Sequence, residues 1–409
     1  MCMHQINQNL DNNKVDYLYL NGIKGIAAIA IVIFHYTDFI YFGALHDELV
    51  WRDIIGFLYD YGYYAVDIFF IISGMLFRLN YCEKIASFEY SFSGFMKRRI
   101  VKIAPLYILT TMITALLQWC LMAIREGYAF RHNATYNMVL ASLLGIGKIG
   151  RIGGVVNGPA WYIEVLFLCY VVYFFGIFWL EISHIFVDKI IVSQKSLESD
   201  RTEDFKRSVC GGYRAYCYWA FLCLIIGMVL WNHKSELAFF DIDCGRGMVG
   251  FSVGFIIMEI LSKKRDFSRI VSLLWCAVSA GLILIAERFA KIDVDIYGHQ
   301  EIFFTLVVFP GVILFIHSYK IIRTILSKGI MNYLGKISFS MYLWHFPIEV
   351  CFILLSCLLN IGINFSKPKL FLIRIAVTII ASVISYRFVE PLLKRLLIKI
   401  HERVKRDER

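Results

Sequence analysis

NGIKGIAAIAIVIFHY, residues 21–36, decides the architecture. From Gly25 to Phe34 every residue is apolar, and the run is continuous rather than alternating, so it reads as a helix and not as a barrel strand. With its flanks, at 17–42, it is long enough to cross a bilayer. The rest of the chain follows suit. Of 409 residues, 59% are hydrophobic and 18% charged, too apolar for a water-soluble core, whereas lipid can cover helices that satisfy their own backbone. The fold class expected is therefore all-α, a polytopic transmembrane bundle.

Scanning for similar runs gives about ten candidates: 17–42, 55–79, 103–124, 159–183, 214–231, 246–261, 269–290, 300–319, 332–358 and 370–397. The first sixteen residues, MCMHQINQNLDNNKVD, are polar and lack the regions of a cleavable signal, so they read as a cytoplasmic tail. Positive charge alternates between loops. Arg78, Lys84 and Lys97–Arg99 lie on one side, with Lys189–Arg207, Lys263–Arg265, Lys320–Lys328 and the tail 399–409, and the opposite loops are poorer in it. The positive-inside rule then places both termini in the cytoplasm. The membrane domain spans 17–398, with 184–213 a cytoplasmic linker of mixed charge and 399–409 a basic tail. The net charge of +10 sits at helix ends as a topology signal, not as a nucleic-acid surface. The eleven cysteines are scattered singly, with no metal-like pairing.

Ionisable groups inside spans are costly and point to function. Lys24 and His35 are eleven positions apart, three helical turns and about 16 Å, and so share one face. Lys24 reads either as an interfacial anchor or as the mouth of a path leading to His35. In the second span, GYYAVDIFFIISGMLF (62–77), Asp67 is deep in an apolar run. It is either the partner that orients a catalytic histidine or half of a structural ion pair. FMKRRIVKIAPLY (95–107) brings Arg98, Arg99 and Lys102 to the start of the third helix at Pro105. Such a cluster serves as topology signal or as a phosphate site.

GGVVNGPAWYIEVLF (153–167) opens the fourth helix with Trp161, an interfacial aromatic or substrate contact. Glu164 falls one turn deeper, near the level of His35, where a histidine–carboxylate pair would make a general base for a hydroxyl. In LGKISFSMYLWHFPI (334–348), His345 precedes Pro347, whose kink would open a polar pocket, and SYRFVEPLLKR (385–395) carries Arg387 and Glu390 at i, i+3.

In this order the motifs resemble the acyltransferase 3 family of membrane proteins over residues 17–395. The carriers are Lys24 and His35, VDIFFIISG, RRIVKIAPLY, AWY at 160–162, ISFSMYLWHFPI and YRFVEP. The resemblance implies an O-acyltransferase of the cell (inner) membrane that moves an acyl group, most simply acetyl, from acyl-CoA to a glycan or glycolipid hydroxyl. It implies His35 as the essential histidine, with Glu164 and Asp67 as catalytic candidates. Lys24, Arg98, Arg99 and Lys102 would hold the donor, and Trp161 and His345 the substrate. Acyl-CoA would be a co-substrate rather than a resident cofactor, and polysaccharide-assembly proteins would be partners. Lys24 and Lys102 stand where the family has arginine, keeping the charge without the bidentate fork. Glu164 lies two positions closer to Trp161 than the family glutamate does. The rival readings are a glycan or lipid-linked sugar transporter, for which no repeat is evident, and a non-catalytic assembly partner.

Overall fold

The computed structural model describes residues 17–42, 49–124, 134–148, 154–195, 201–232, 240, 242–263, 269–290, 300–360 and 366–407. Among these residues there is no β-strand. Nine of the described helices are long and apolar enough to cross a membrane: Tyr19–Asp38, Arg52–Asn80, Phe92–Ile124, Gly158–Val187, Ala215–Asn232, Ile242–Lys263, Gln300–Ser318, Gly329–Leu359 and Pro368–Lys399. The protein is an all-α polytopic membrane bundle, and nine of the ten expected spans are present. At the tenth, 269–290, the chain is helical throughout, but the apolar stretch described there, Arg269–Gly281, is shorter than a span.

Two compact units make up the chain. One comprises Met1–Phe69, Arg98–Tyr162 and Val312–Arg409; the other comprises Phe70–Lys97 and Ile163–Gly311. In the first, α1 (Tyr19–Phe34) continues as a 3-10 helix, His35–Phe42. It is followed by α2 (Arg52–Tyr61) and the start of α3 (Ala65–Asn80). Most of α4 (Phe92–Ile124) belongs to this unit, as do α5 (Tyr136–Leu143) and the first two residues of α6 (Trp161–Lys195). The second unit holds the rest of α6 with α7 (Arg201–Asn232), α8 (Ile242–Lys263) and α9 (Arg269–Ala290). The chain re-enters the first unit within α10 (Phe309–Ser318), which leads to α11 (Lys320–Ser327), α12 (Gly329–Leu359), α13 (Pro368–Ile384) and α14 (Glu390–Asp407).

Lipid gives helices no hydrophobic reason to associate, so close backbone packing through small residues does much of the work. In the first unit α1 lies against α12 in this way. A Cβ on Gly335 would stand 2.0 Å from the Asn21 carbonyl oxygen, and one on Gly25 would stand 2.7 Å from Leu334 Cβ. In the second unit α3 and α8 cross through Gly74 and Gly254, where added Cβ atoms would fall 2.0 Å from Phe251 O and 1.8 Å from Ile71 O. The glycine of the VDIFFIISG motif is thus explained by packing. Near that crossing the buried Arg78 donates to Glu259 at 2.5 Å, and Lys263 reaches the other oxygen of that carboxylate at 2.7 Å.

Several boundaries differ from those read in the sequence. α4 begins at Phe92, so Pro105 lies inside the helix rather than at its start. The segment 184–213 is helical at both ends, because α6 continues to Lys195 and α7 begins at Arg201. Likewise α14 runs through the basic tail as far as Asp407. The tail expected at 1–16 lies outside the described residues.

Candidate functional site

The site is built at the end of α1. His35 N–H donates to Ile31 O, and beyond it the helix tightens to the 3-10 form. Side chains at i and i+3 eclipse in a 3-10 helix, which places Asp38 under His35. His35 Nδ1 and Asp38 Oδ2 are 2.8 Å apart, and the two side chains are only 19% and 22% exposed. With Nδ1–H donating to the carboxylate, Nε2 keeps its lone pair and can accept a proton. The carboxylate on His35 Nδ1 is therefore Asp38, three residues away on the same segment, and not the Asp67 expected from the sequence. Asp67 is fully buried in the first turn of α3. Glu164, also expected near His35, is buried in the first turn of α6, in the portion belonging to the second unit.

A second histidine joins the first. The ring of His345, fully buried on α12, lies 4.9 Å from that of His35, centroid to centroid. Its Nδ1 is 3.3 Å from Met341 O, and its buried Nε2 has no hydrogen-bond partner. A buried polar atom left this way calls for an explanation. Here it supplies a second nitrogen lone pair beside His35.

Pro347 shapes the wall next to His345. Lacking an N–H, it leaves the Leu343 carbonyl without its helical donor, and the buried Asn157 fills the gap, its Nδ2 donating to that oxygen at 3.1 Å. Tyr342 OH donates to Pro159 O, and its ring lies 5.9 Å from that of His345. The chain before α6 is thereby pinned to α12 within one turn of His345. Trp161, the first residue of α6, is half-buried in this pinned stretch.

Beneath the histidines lies a buried ion pair. Arg374 Nη2 donates to Glu349 Oε2 at 2.5 Å, Nη1 donates to Val32 O at 2.8 Å, and both side chains are fully buried. About three turns back along α1, Lys24 is half-buried and within electrostatic reach of Lys102. Lys102 in turn feels Arg99, Lys394 and Glu390. Three of the four expected donor-binding cations are brought into one field, and Arg98 is an exposed neighbour of theirs on α4. Glu390 accepts from Ser340, just past a π-helical turn at Ser385–Val389. Among the described residues no three His, Cys, Asp or Glu side chains are grouped as a metal site requires.

Asp38, Glu349, Arg374 and Asn157 are not among the residues singled out in the sequence, though the first three left a trace. Asp38 follows His35 by three residues and Glu349 follows His345 by four. Arg374 interrupts the apolar run FLIRIAVTII.

Fold and site together define a multi-pass membrane protein in which two histidine rings lie side by side, one of them paired with a carboxylate. Comparison with known families is decisive: a family model described as an acyltransferase domain matches residues 17–387, and the chain belongs to that family, acyltransferase 3. A curated relative, protein 2 in the picA locus of Rhizobium radiobacter, is 32% identical over 105 residues, 26% of this chain. The match spans about half, 47%, of that protein's length. No solved structure matches.

Proposed function

We propose that this acyltransferase moves an acetyl group from cytoplasmic acetyl-CoA to a hydroxyl of a cell-surface polysaccharide or glycolipid, in a cytoplasmic membrane with both termini inside. The observation that carries the reading is the Asp38–His35 pair, 2.8 Å apart, with the His345 ring 4.9 Å away. Lys24, Arg98, Arg99 and Lys102 would receive the phosphates of the donor. The pantetheine arm would run along α1 toward His35, about 16 Å in.

In this scheme His35 Nε2 takes the proton of the acceptor hydroxyl as its oxygen attacks the thioester carbon. The C–S bond then breaks, and the departing thiolate takes the proton back from the imidazolium. Asp38 holds the ring in the tautomer this needs and stabilises the imidazolium. His345 Nε2 and Trp161 would contact the acceptor. Polysaccharide-assembly proteins would present the glycan.

The test is transfer of label from radiolabelled acetyl-CoA to surface glycan in membranes carrying the wild type or His35→Ala at equal expression. Loss of incorporation in the variant is expected. Equal incorporation in both would remove His35 from the chemistry.

A further inference from the structure

We propose that Glu349 and Arg374 form a positioning clamp that sets where α1 ends, and thereby fixes the meeting of His35 with Asp38. The proposal rests on the reading of His35 as the acid–base group. The last carbonyls of a helix lack intrahelical donors, and in lipid an unsatisfied one costs several kcal/mol. Val32 is the first carbonyl past the final α-type bond, His35 N–H to Ile31 O. Arg374 Nη1 occupies it at 2.8 Å. The same guanidinium holds Glu349 at 2.5 Å and faces the ring of Tyr36, 5.6 Å from its centroid. Val32 and Tyr36 flank His35 on either side, so one arginine grips the chain both before and after it. Glu349 also stands one turn beyond His345 on α12, so the clamp ties both histidines to α13.

Stability alone does not explain this pair. Buried ion pairs are commonly no more stabilising than apolar side chains of similar volume, and Glu349 Oε1 is buried without a hydrogen-bond partner. What the arrangement does supply is geometry. Only a rigid planar fork takes a carbonyl and a carboxylate together while facing a ring.

The experiment compares the wild type with the double variant Glu349→Met/Arg374→Met, which removes both charges and leaves neither buried alone. Folding is followed by gel filtration, kcat and KM for acetyl-CoA by label transfer, and the His35 Nδ1 environment by 15N NMR in lipid. The Nδ1 resonance is assigned by its loss in His35→Ala. A positioning role predicts a monodisperse protein whose kcat falls at least about tenfold, a fraction of the roughly hundredfold or more that a positioned general base contributes, with KM unchanged. It also predicts that the Nδ1 resonance moves toward its position in Asp38→Asn. A folded double variant with wild-type kcat, or with the resonance unmoved, overturns the clamp.

Should the double variant not fold, Arg374→Lys decides. It keeps the charge opposite Glu349 but cannot span both acceptors, so a folded protein with reduced kcat is expected. Wild-type kcat there, or failure of both variants to fold, makes the pair purely structural and overturns the proposal. If the wild type transfers no acetyl at all, the transferase reading fails separately, and the NMR comparison still judges the clamp.

Discussion

Replacing Asp38 by asparagine removes one charge from the site and leaves an amide oxygen able to accept from His35 Nδ1. The carboxylate lies 2.8 Å from that nitrogen, where an imidazolium–carboxylate attraction is about 6 kcal/mol at an effective dielectric of about 20 and about 1.5 kcal/mol in bulk water. With the two side chains 19% and 22% exposed, the interaction falls between these limits, near 3 kcal/mol. If the imidazolium develops in the transition state, its loss lowers kcat roughly a hundredfold, since each ~1.4 kcal/mol is tenfold. KM for acetyl-CoA should hold, because Asp38 is about 21 Å along the chain from the proposed phosphate site. The assay is initial-rate acetyl transfer in membranes at matched expression, with Asp38→Ala alongside. Retention of kcat within about threefold in both variants would falsify the role of the carboxylate, because even the fully screened value corresponds to roughly tenfold.

Asn157→Ala should lower the thermal midpoint in detergent by removing the donor to Leu343 O, a loss of about 1–3 kcal/mol. Adding Pro347→Ala should restore the midpoint, because alanine returns the missing helical N–H; a double variant no more stable than the single one counts against this account. Exchanging Lys24 and Lys102 together for Met should raise KM for acetyl-CoA by about tenfold, one weak charge contact each, with kcat little changed, and an unaltered KM would separate these cations from donor binding. Burial pushes the Cys82 thiol from 9.0 up to about 12. Its folded form is therefore stabilised fully below pH 9, and that contribution is lost as pH rises toward 12. Alkylation of Cys82 at pH 8 in the folded protein should be negligible by mass spectrometry, and rapid labelling there would contradict the burial.

The spans were legible because apolar length is a one-dimensional property, and nine of the expected runs can be read directly from it. Their ends were less so. Nothing in the composition of RRIVKIAPLY says that α4 already began at Phe92 and tolerates Pro105 within it. His35 stood out because a histidine in a span is expensive, but its carboxylate was sought on other helices when the switch to 3-10 geometry brings Asp38 beneath it from three residues away. That switch depends on what satisfies Val32 O, and the donor comes from Arg374, 342 positions later. A contact of that range leaves no periodic trace. Asn157 is similar: the vacancy that Pro347 creates is visible in the sequence, but the side chain that fills it is not.

The reach of Arg374 across 342 residues also bears on biosynthesis. As the chain leaves the ribosome and enters the bilayer, α1 is inserted before α13, with its Val32 carbonyl unserved by the donor that holds it in the folded protein. That donor arrives only with α13, 342 residues later. The backbone of α1 is thus completed by a segment translated long after it. A nascent chain arrested before residue 374 carries His35 in the membrane without the arginine that holds its backbone.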